Sequence, residues 1–365
     1  MQQERIMEKK IMKFAAVSAI LAYAAIQEAA AGISAASDSD RATSMWYESP
    51  AVKWTDALPV GNGQMGAMMF GGVESERLQF NEYTLWTGKP HSYARKGAAE
   101  ALPEIRRLVA EGKKNEAAKL ADRAFLANPK LEAAYQPCGD LYVRLDGVGG
   151  STGYRRELCL RTGVARSEFS ANGVKYTRET FAPYDRPSMI VHRIVSDRPG
   201  AIAGVVELST PHANSKLSSS GRKIAVKGRV GGDGVSFAAC ASVRVCGKKA
   251  KAVPAGNAMR VTGADSVEIR LSAATNAKDW KTLAGDPSAA VNSAIDSADG
   301  LGYETVKANH VAAFSSLFNR VSLSLPARGT LWRLPTDKRL SGNVETPDPS
   351  LAALVFQYGR YLLIS

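Results

Sequence analysis

Between Leu141 and Thr275 apolar and polar residues alternate in short runs: LYVRL, YRRELCL, VARSEF, VKYTRETFA, SMIVHRIV, AGVVELS, KIAVKGRV, VSFAACASVRVC, MRVT and VEIRLSAAT. A period of two puts every second side chain on one face of a pleated strand, so this series of short strands with turn residues between them predicts a β-sandwich. Asn172-Gly173, between two such runs, reads as a type I′ hairpin turn, because both central residues of that turn need positive φ. No repeat recurs at a fixed period, which argues against a propeller or solenoid.

Helical spacing interrupts this pattern once and replaces it twice. From Ala98 to Leu126, Ile105, Leu108 and Val109 share a face, Gly112 breaks the run, and Leu120 and Ala124 continue it up to Asn128-Pro129. The expectation is a helical insertion, 98–127, in a sandwich domain spanning 45–285, either covering one end of the sandwich or acting as a lid. A linker of helices, 286–345, begins at Asp286-Pro287; within it Val306, His310, Phe314 and Leu317 share a face, and Val321–Leu325 alternates like a strand. The last helix, 348–365, opens with Asp348 as N-cap and Pro349 in the first turn. Leu351, Leu354, Val355, Tyr358 and Leu362 form one apolar face, while Phe356, Tyr361, Leu363 and Ile364 put apolar groups on the others. That is the pattern of a helix buried all round, with partners expected outside this sequence.

The stretch LPVGNGQMGAMMFGGVESERLQFNEYTLWTGKP, Leu58 to Pro90, is too rich in glycine for a helix and reads as turn, strand, turn, strand, loop. Gly61, Gly63 and Gly66 spell G-x-G-x-x-G with Glu82 about 20 residues on, the spacing of a dinucleotide fingerprint. The context argues against it. Lys53 to Pro59 is no buried strand, and Ala67–Phe70 runs into Gly71-Gly72 where the fingerprint requires a helix.

Composition changes the picture little: 45% hydrophobic and 22% charged residues are ordinary for a globular protein. The formal charge of +12 is spread along the chain rather than blocked, so no nucleic-acid partner is expected. Lys9, Lys10 and Lys13 precede an apolar run, Phe14 to Ile26, and small residues follow through Ala36, which reads as a signal peptide, 1–36. The run is short of the roughly 20 residues of a membrane span. The expectation is therefore an exported, periplasmic or extracellular protein with no span after cleavage. Of four cysteines, Cys240 and Cys246 lie in one strand and cannot bridge, Cys138 and Cys159 could meet across a hairpin, and free thiols are expected. The cysteines and the dispersed His91, His192, His212 and His310 fit no metal spacing, so neither metal nor cofactor is expected.

Trp46-Tyr47, the run A-L-P-V-G-N-G-Q-M-G-A-M-M-F-G-G-V and then L-Q-F-N-E-Y-T-L-W-T-G-K-P resemble the opening of glycoside hydrolase family 95, the inverting α-L-fucosidases. The resemblance continues through Tyr135–Leu141, Tyr154–Leu158 and Leu317–Val321 to the final Gln357–Leu363. It implies a mainly β fold: a large β-sandwich (super-sandwich), then a helical linker, then the first helix of a truncated (α/α)6 barrel. It also implies a fucosylated glycan as substrate, with catalytic carboxylates in the barrel, so that no catalytic residue is assigned here and the chain alone is expected to be inactive. Another class of function, a stand-alone carbohydrate-binding or scaffold module, remains the alternative.

Five residues are candidates for substrate binding or contact with the barrel. Asn81, Glu82 and Trp86 put an amide, a carboxylate and an indole on one glycine-flanked loop that could face a sugar or a neighbouring domain. The competing reading makes Trp86 core and Asn81-Glu82 turn-fixing hydrogen-bond formers. Gln136 and Asp140, in the turn Gln136–Asp140, are the other two; Cys138 there stands where the family resemblance suggests leucine.

Overall fold

A computed structural model describes residues 43–343 and 345–365; the proposed signal peptide, 1–36, lies outside these residues. Alternation sorts the strands into two antiparallel sheets. The larger has nine strands in the order β1 (Ser44–Tyr47), β6 (Thr152–Cys159), β7 (Val164–Ala171), β8 (Val174–Phe181), β9 (Ile190–Ser196), β16 (Ser266–Thr275), β13 (Ser236–Cys246), β12 (Lys223–Arg229) and β11 (Ser215–Ser220). The smaller has seven, in the order β14 (Lys251–Ala255), β15 (Ala258–Ala264), β10 (Ile202–Ser209), β5 (Gly139–Leu145), β4 (Ser75–Glu82), β3 (Met65–Met69) and β2 (Leu58–Gly61). The expected hairpin joins β7 to β8, with φ of 52° at Asn172 and 71° at Gly173.

The inward faces meet in a core that includes Leu78, Phe80, Leu141, Val143, Phe169, Ile194 and Ile269. One ion pair is sealed among them. Glu76 and Arg178 approach to 3.4 Å with both side chains fully buried. Arg178 also donates to the carbonyls of Gly72 and Val73, and Glu76 accepts from the amides of Gly71 and Arg77. These bonds answer most of the buried polar atoms, Arg178 Nε alone of the pair having no partner among the described residues, and they tie the β3–β4 turn to the opposite sheet.

The outer face of the nine-stranded sheet is covered by helices. Phe181, Val191, Ala238 and Cys240 form a second core there with Val291 and Ile295 of α3 (Pro287–Ala298) and Val306 of α4 (Tyr303–Phe318). The side chain of Asp286 accepts from the amides of Ser288 and Ala289, which caps the start of α3. Arg270 donates to the carbonyls of Ala298 and Leu301 at its other end, where a cation is favoured. The insertion forms as α1 (Ala98–Ala110) and α2 (Lys114–Leu120), running into a wider turn at Ala121–Phe125.

Three expectations are corrected. The four edge strands, β1, β2, β11 and β14, are additions: β1 is four residues long, β11 is serine-rich, and β2 and β14 contain Pro59 and Pro254, which an edge tolerates and a central strand does not. Val321–Leu325 forms no strand: all five residues are exposed, so the alternation meets no buried face. The final helix, α6 (Pro349–Ile364), finds partners within this chain. Leu351, Leu354 and Tyr361 enter the main core, the Tyr361 hydroxyl donates to Pro59 O at 2.7 Å, and Arg360 caps the end of α4 by donating to Phe318 O and Val321 O. Ser365 O accepts from the Gly63 amide at 2.6 Å, and a Cβ on Gly61 would lie 2.8 Å from that oxygen, so the glycine lets the helix end close over edge strand β2. The opposite side of α6 stays open, with Leu363 88% exposed. A short helix, α5 (Thr336–Gly342), precedes it, and Thr336 Oγ1 accepts from the Trp46 amide.

Candidate functional site

The alternation of β4 divides the Asn81-Glu82 pair. Arg77, Gln79 and Asn81 point from the outer face of the seven-stranded sheet, whereas Glu76, Leu78, Phe80 and Glu82 point inward. Both candidates therefore end a strand, paired with Gly66 and Met65, rather than occupying a free loop. Glu82 is only 7% exposed; its Oε2 accepts from the Thr84 amide at 2.9 Å and from its hydroxyl at 2.7 Å. Burial pushes this carboxyl above the usual carboxylate range, against the two Thr84 bonds. The Thr84 hydroxyl in turn meets that of Thr275 at the end of β16. Glu82 thus fixes the exit from β4 and, through Thr84, links the two sheets.

Trp86 is not core. It is 41% exposed, its Nε1 donates to Tyr83 O at 2.9 Å, and its ring packs at 5.1 Å against Tyr135, with which it forms an isolated bridge. The Tyr135 hydroxyl donates to Glu82 O. Trp86 and Tyr135 thus form an aromatic ledge whose polar edges are engaged and which stays partly exposed, as does the neighbouring Tyr83. Gln136 turns back on its own strand, with Nε2 donating to the carbonyls of Ala134 and Tyr135.

Asp140 belongs to a second patch, beside the ledge. It lies on the outer face of β5 and accepts from Arg77 Nε at 2.6 Å. Together with Gln79, Pro137, Gly139, Ser209, Thr210 and Pro211 this pair lines a groove of about 430 Å³. Gln79 Nε2 donates to Asn81 Oδ1 at 2.9 Å, and Gln79 Oε1 accepts from the indole of Trp54, which is 56% exposed. Trp54, Arg77, Gln79, Tyr83, Tyr135 and Thr210 were absent from the candidates read from the sequence. For Arg77 and Gln79 a signal existed, because they stand four and two residues before Asn81, respectively, and share its face of a strand.

The patches offer hydrogen-bonding and stacking groups without a nucleophile–base arrangement. The four cysteines are free, and burial raises the Cys138 thiol pKa far above its ordinary value. Among the described residues no cluster of three or more His, Cys, Asp or Glu side chains could hold a metal ion, and no helix is long and apolar enough to cross a membrane.

The architecture is a two-sheet super-sandwich with helices over one face and one edge. A putative kojibiose phosphorylase from human microbiome shares the fold, with a TM-score of 0.51 at 9% identity over 88% of this chain and 41% of that one. Residues 45–280 match the glycosyl hydrolase family 65 N-terminal domain, and the chain belongs to that family. Residues 302–365 match the glycosyl hydrolase family 95 catalytic domain, so the family 95 resemblance read from the sequence stands. Among curated relatives, α-L-fucosidase 2 of Arabidopsis thaliana is 32% identical over 90% of this chain and 42% of its own length. Probable α-fucosidase A of Aspergillus niger is 29% identical over 89% of this chain and 43% of its own. The chain thus spans less than half the length of these relatives.

Proposed function

We propose that this chain is the front portion of a glycoside hydrolase that releases α-L-fucose from fucosylated glycans. The observation that supports this most is that the similarity to the Arabidopsis α-L-fucosidase runs through 90% of the chain, across both the sandwich and the segment matching the family 95 catalytic domain. In this reading the reaction is inverting: one carboxylic acid protonates the leaving oxygen while a carboxylate across the sugar activates water. Both groups come from helical sequence following Ser365, and α6 is the helix of that region that lies along β2. The chain by itself is inactive, and it is exported after cleavage near Ala36.

The test is fucose release from 2′-fucosyllactose, measured for the purified chain and for the chain joined to the remaining C-terminal sequence of the Arabidopsis relative. The joined protein is expected to release fucose as the β-anomer first, seen by proton NMR, and the chain alone to release none. Release by the chain alone would overturn the assignment of the carboxylates. First appearance of the α-anomer would overturn inversion, and a folded fusion that turns over other glycosides but no fucoside would overturn the substrate class.

A further inference from the structure

We propose that the outer face of the seven-stranded sheet carries a non-catalytic binding site for a neutral oligosaccharide, running from Trp54 across Arg77, Gln79 and Asp140 to Asn81. The inference concerns a surface apart from the hydrolytic reading and holds whether or not the assembled enzyme acts on fucosides.

Four features of that face converge on such a ligand. The groove of about 430 Å³ between β4, β5 and the wall formed by Pro137, Thr210 and Pro211 falls within the size range of small-molecule sites. Its floor presents the groups that adjacent sugar hydroxyls require, since each hydroxyl both donates and accepts. Arg77 uses Nε on Asp140 Oδ1, and among the described residues its terminal nitrogens have no acceptor; the second oxygen of Asp140 is likewise available to accept. The 2.6 Å contact between Arg77 Nε and Asp140 Oδ1 holds these free donors and this free acceptor side by side on neighbouring strands, an arrangement that suits a vicinal diol better than a single charge.

The charge pattern excludes the other ligand classes. Arg77 pairs with Asp140, Arg144 with Glu207 at 2.6 Å, and Arg260 with Asp146. A phosphate or an acidic polymer arriving at Arg77 would meet the Asp140 carboxylate beside it, and a cation would meet Arg77. With the two charges that line the groove, Arg77 and Asp140, matched by each other, an uncharged polar ligand is the one it complements.

The aromatic groups are fixed before any ligand arrives. The Trp54 indole N–H is held by Gln79, whose amide N–H holds Asn81, so the ring is anchored to the sheet by its polar edge while its face remains exposed. The C–H face of a pyranose packs on such a ring, and holding the ring in advance lowers the entropic cost of binding. At the other end the Asn81 amide reaches the Tyr135 hydroxyl, which leads to the Trp86–Tyr135 ledge. Gln79 and Asn81 alone separate the two ends by about 7 Å of strand, so the strip is longer than one sugar ring and suits an oligosaccharide. Its polar members sit on strands rather than loops, which fixes their spacing.

The experiment is a titration of the purified chain with cellohexaose, with 2′-fucosyllactose and with trigalacturonic acid, followed by tryptophan fluorescence and calorimetry. At least one of the two neutral sugars is expected to bind saturably with a Kd tighter than about 1 mM. That affinity should be unchanged between roughly 50 and 500 mM salt, because no net charge is neutralised. Trp54→Ala and Asp140→Ala should each weaken binding at least tenfold, while Trp54→Ala leaves thermal unfolding unaltered because its ring is exposed. No saturable binding of either neutral sugar would overturn the proposal. So would neutral-sugar binding that survives Trp54→Ala, or tighter, salt-sensitive binding of the acidic trimer. None of these outcomes involves fucose release, so failure here leaves the hydrolytic reading to its own test.

Discussion

Replacing His192 and His310 by residues that do not titrate should flatten the acid side of this protein's stability curve. His192 lies in the core between the sheets, with Nδ1 2.8 Å from the Thr180 hydroxyl and Nε2 without a partner among the described residues. Burial, and secondarily the Arg178 charge, lowers its pKa from 6.5 to about 3. His310 stacks on Phe181 at 5.0 Å beneath α4, and burial lowers its pKa to about 4 against the opposing contacts of Gly163, Thr162 and Asp185. Below pH 6.5 the unfolded chain therefore takes up a proton at each imidazole that the folded chain does not. The unfolded state binds more protons, so stability falls as pH falls. The contribution is complete above pH 6.5 and is lost progressively towards the two folded values.

From pH 7 to pH 5 each histidine should cost about 2 kcal/mol, since at pH 5 the folded imidazoles remain neutral while the unfolded ones are charged. Together that is about 4 kcal/mol, a large part of the roughly 5–15 kcal/mol by which domains are stable. Glu76 and Glu82, both held above the usual carboxylate range chiefly by burial, act in the opposite direction: their contribution is present at low pH and lost as pH rises through their folded values. They are common to every variant and cancel in the comparison. The assay is urea unfolding at pH 5 and pH 7 for the parent, His192→Gln, His310→Phe and the double variant. Each substitution should remove about 2 kcal/mol of the parent's loss. A His192→Gln variant with the parent's pH dependence would show that His192 charges freely in the folded state, and would refute the reasoning.

Two further substitutions separate interior from surface. Arg178→Met strands the Glu76 carboxylate in the core and should cost about 3–5 kcal/mol; adding Glu76→Gln should restore part of this, and a loss below about 1 kcal/mol on urea unfolding would contradict a sealed pair. Trp86→Ala should cost no more than about 0.5–1.5 kcal/mol, the scale of its contact with Tyr135, and a loss of about 3–5 kcal/mol would place the ring in the core after all.

What the sequence disclosed and what it withheld have the same physical origin. Alternation is strong where one face of a strand is buried, and the ten strands read from it are the ones that lie in or next to the interior of a sheet. The four that escaped, β1, β2, β11 with Leu217 among serines and lysine, and β14 with Pro254, are the four edge strands, whose ladder is decided by a neighbour rather than by their own side chains. Val321–Leu325 shows the converse, an alternating run that stays exposed on both faces and forms no strand. The final helix was apolar on several sides, and only the structure separates the side that closes β2 from the open side bearing Val355, Phe356, Leu362 and Leu363. Of the five candidate residues, Glu82 is a candidate for its carboxylate, and its burial depends on a strand continuing two residues further, through Asn81 and Glu82, than the loop reading allows. Trp54 offered no periodic signal, since it sits in a single helical turn and joins the face only through Gln79.

The register of β4 is what makes one surface of the sandwich suited to ligand and the other to helices. On the nine-stranded sheet, outward positions such as Phe181, Val191 and Ala238 are apolar, and α3 and α4 must cover them. On the seven-stranded sheet the outward series Arg77, Gln79, Asn81 meets Asp140 across the ladder, so that face can stay in water without exposing core. A slip of one residue would turn Arg77, Gln79 and Asn81 into the interior and bring out Leu78 and Phe80, so the register is held by burial of the inward set. Glu76 and Glu82 reinforce it from the two ends: one is bound to Arg178 and the Gly71 amide, the other to Thr84 and through it to β16. The same inward contacts that secure the fold therefore set the spacing of the outward polar groups. A ligand site on this face needs little further preorganisation than the sheet already provides.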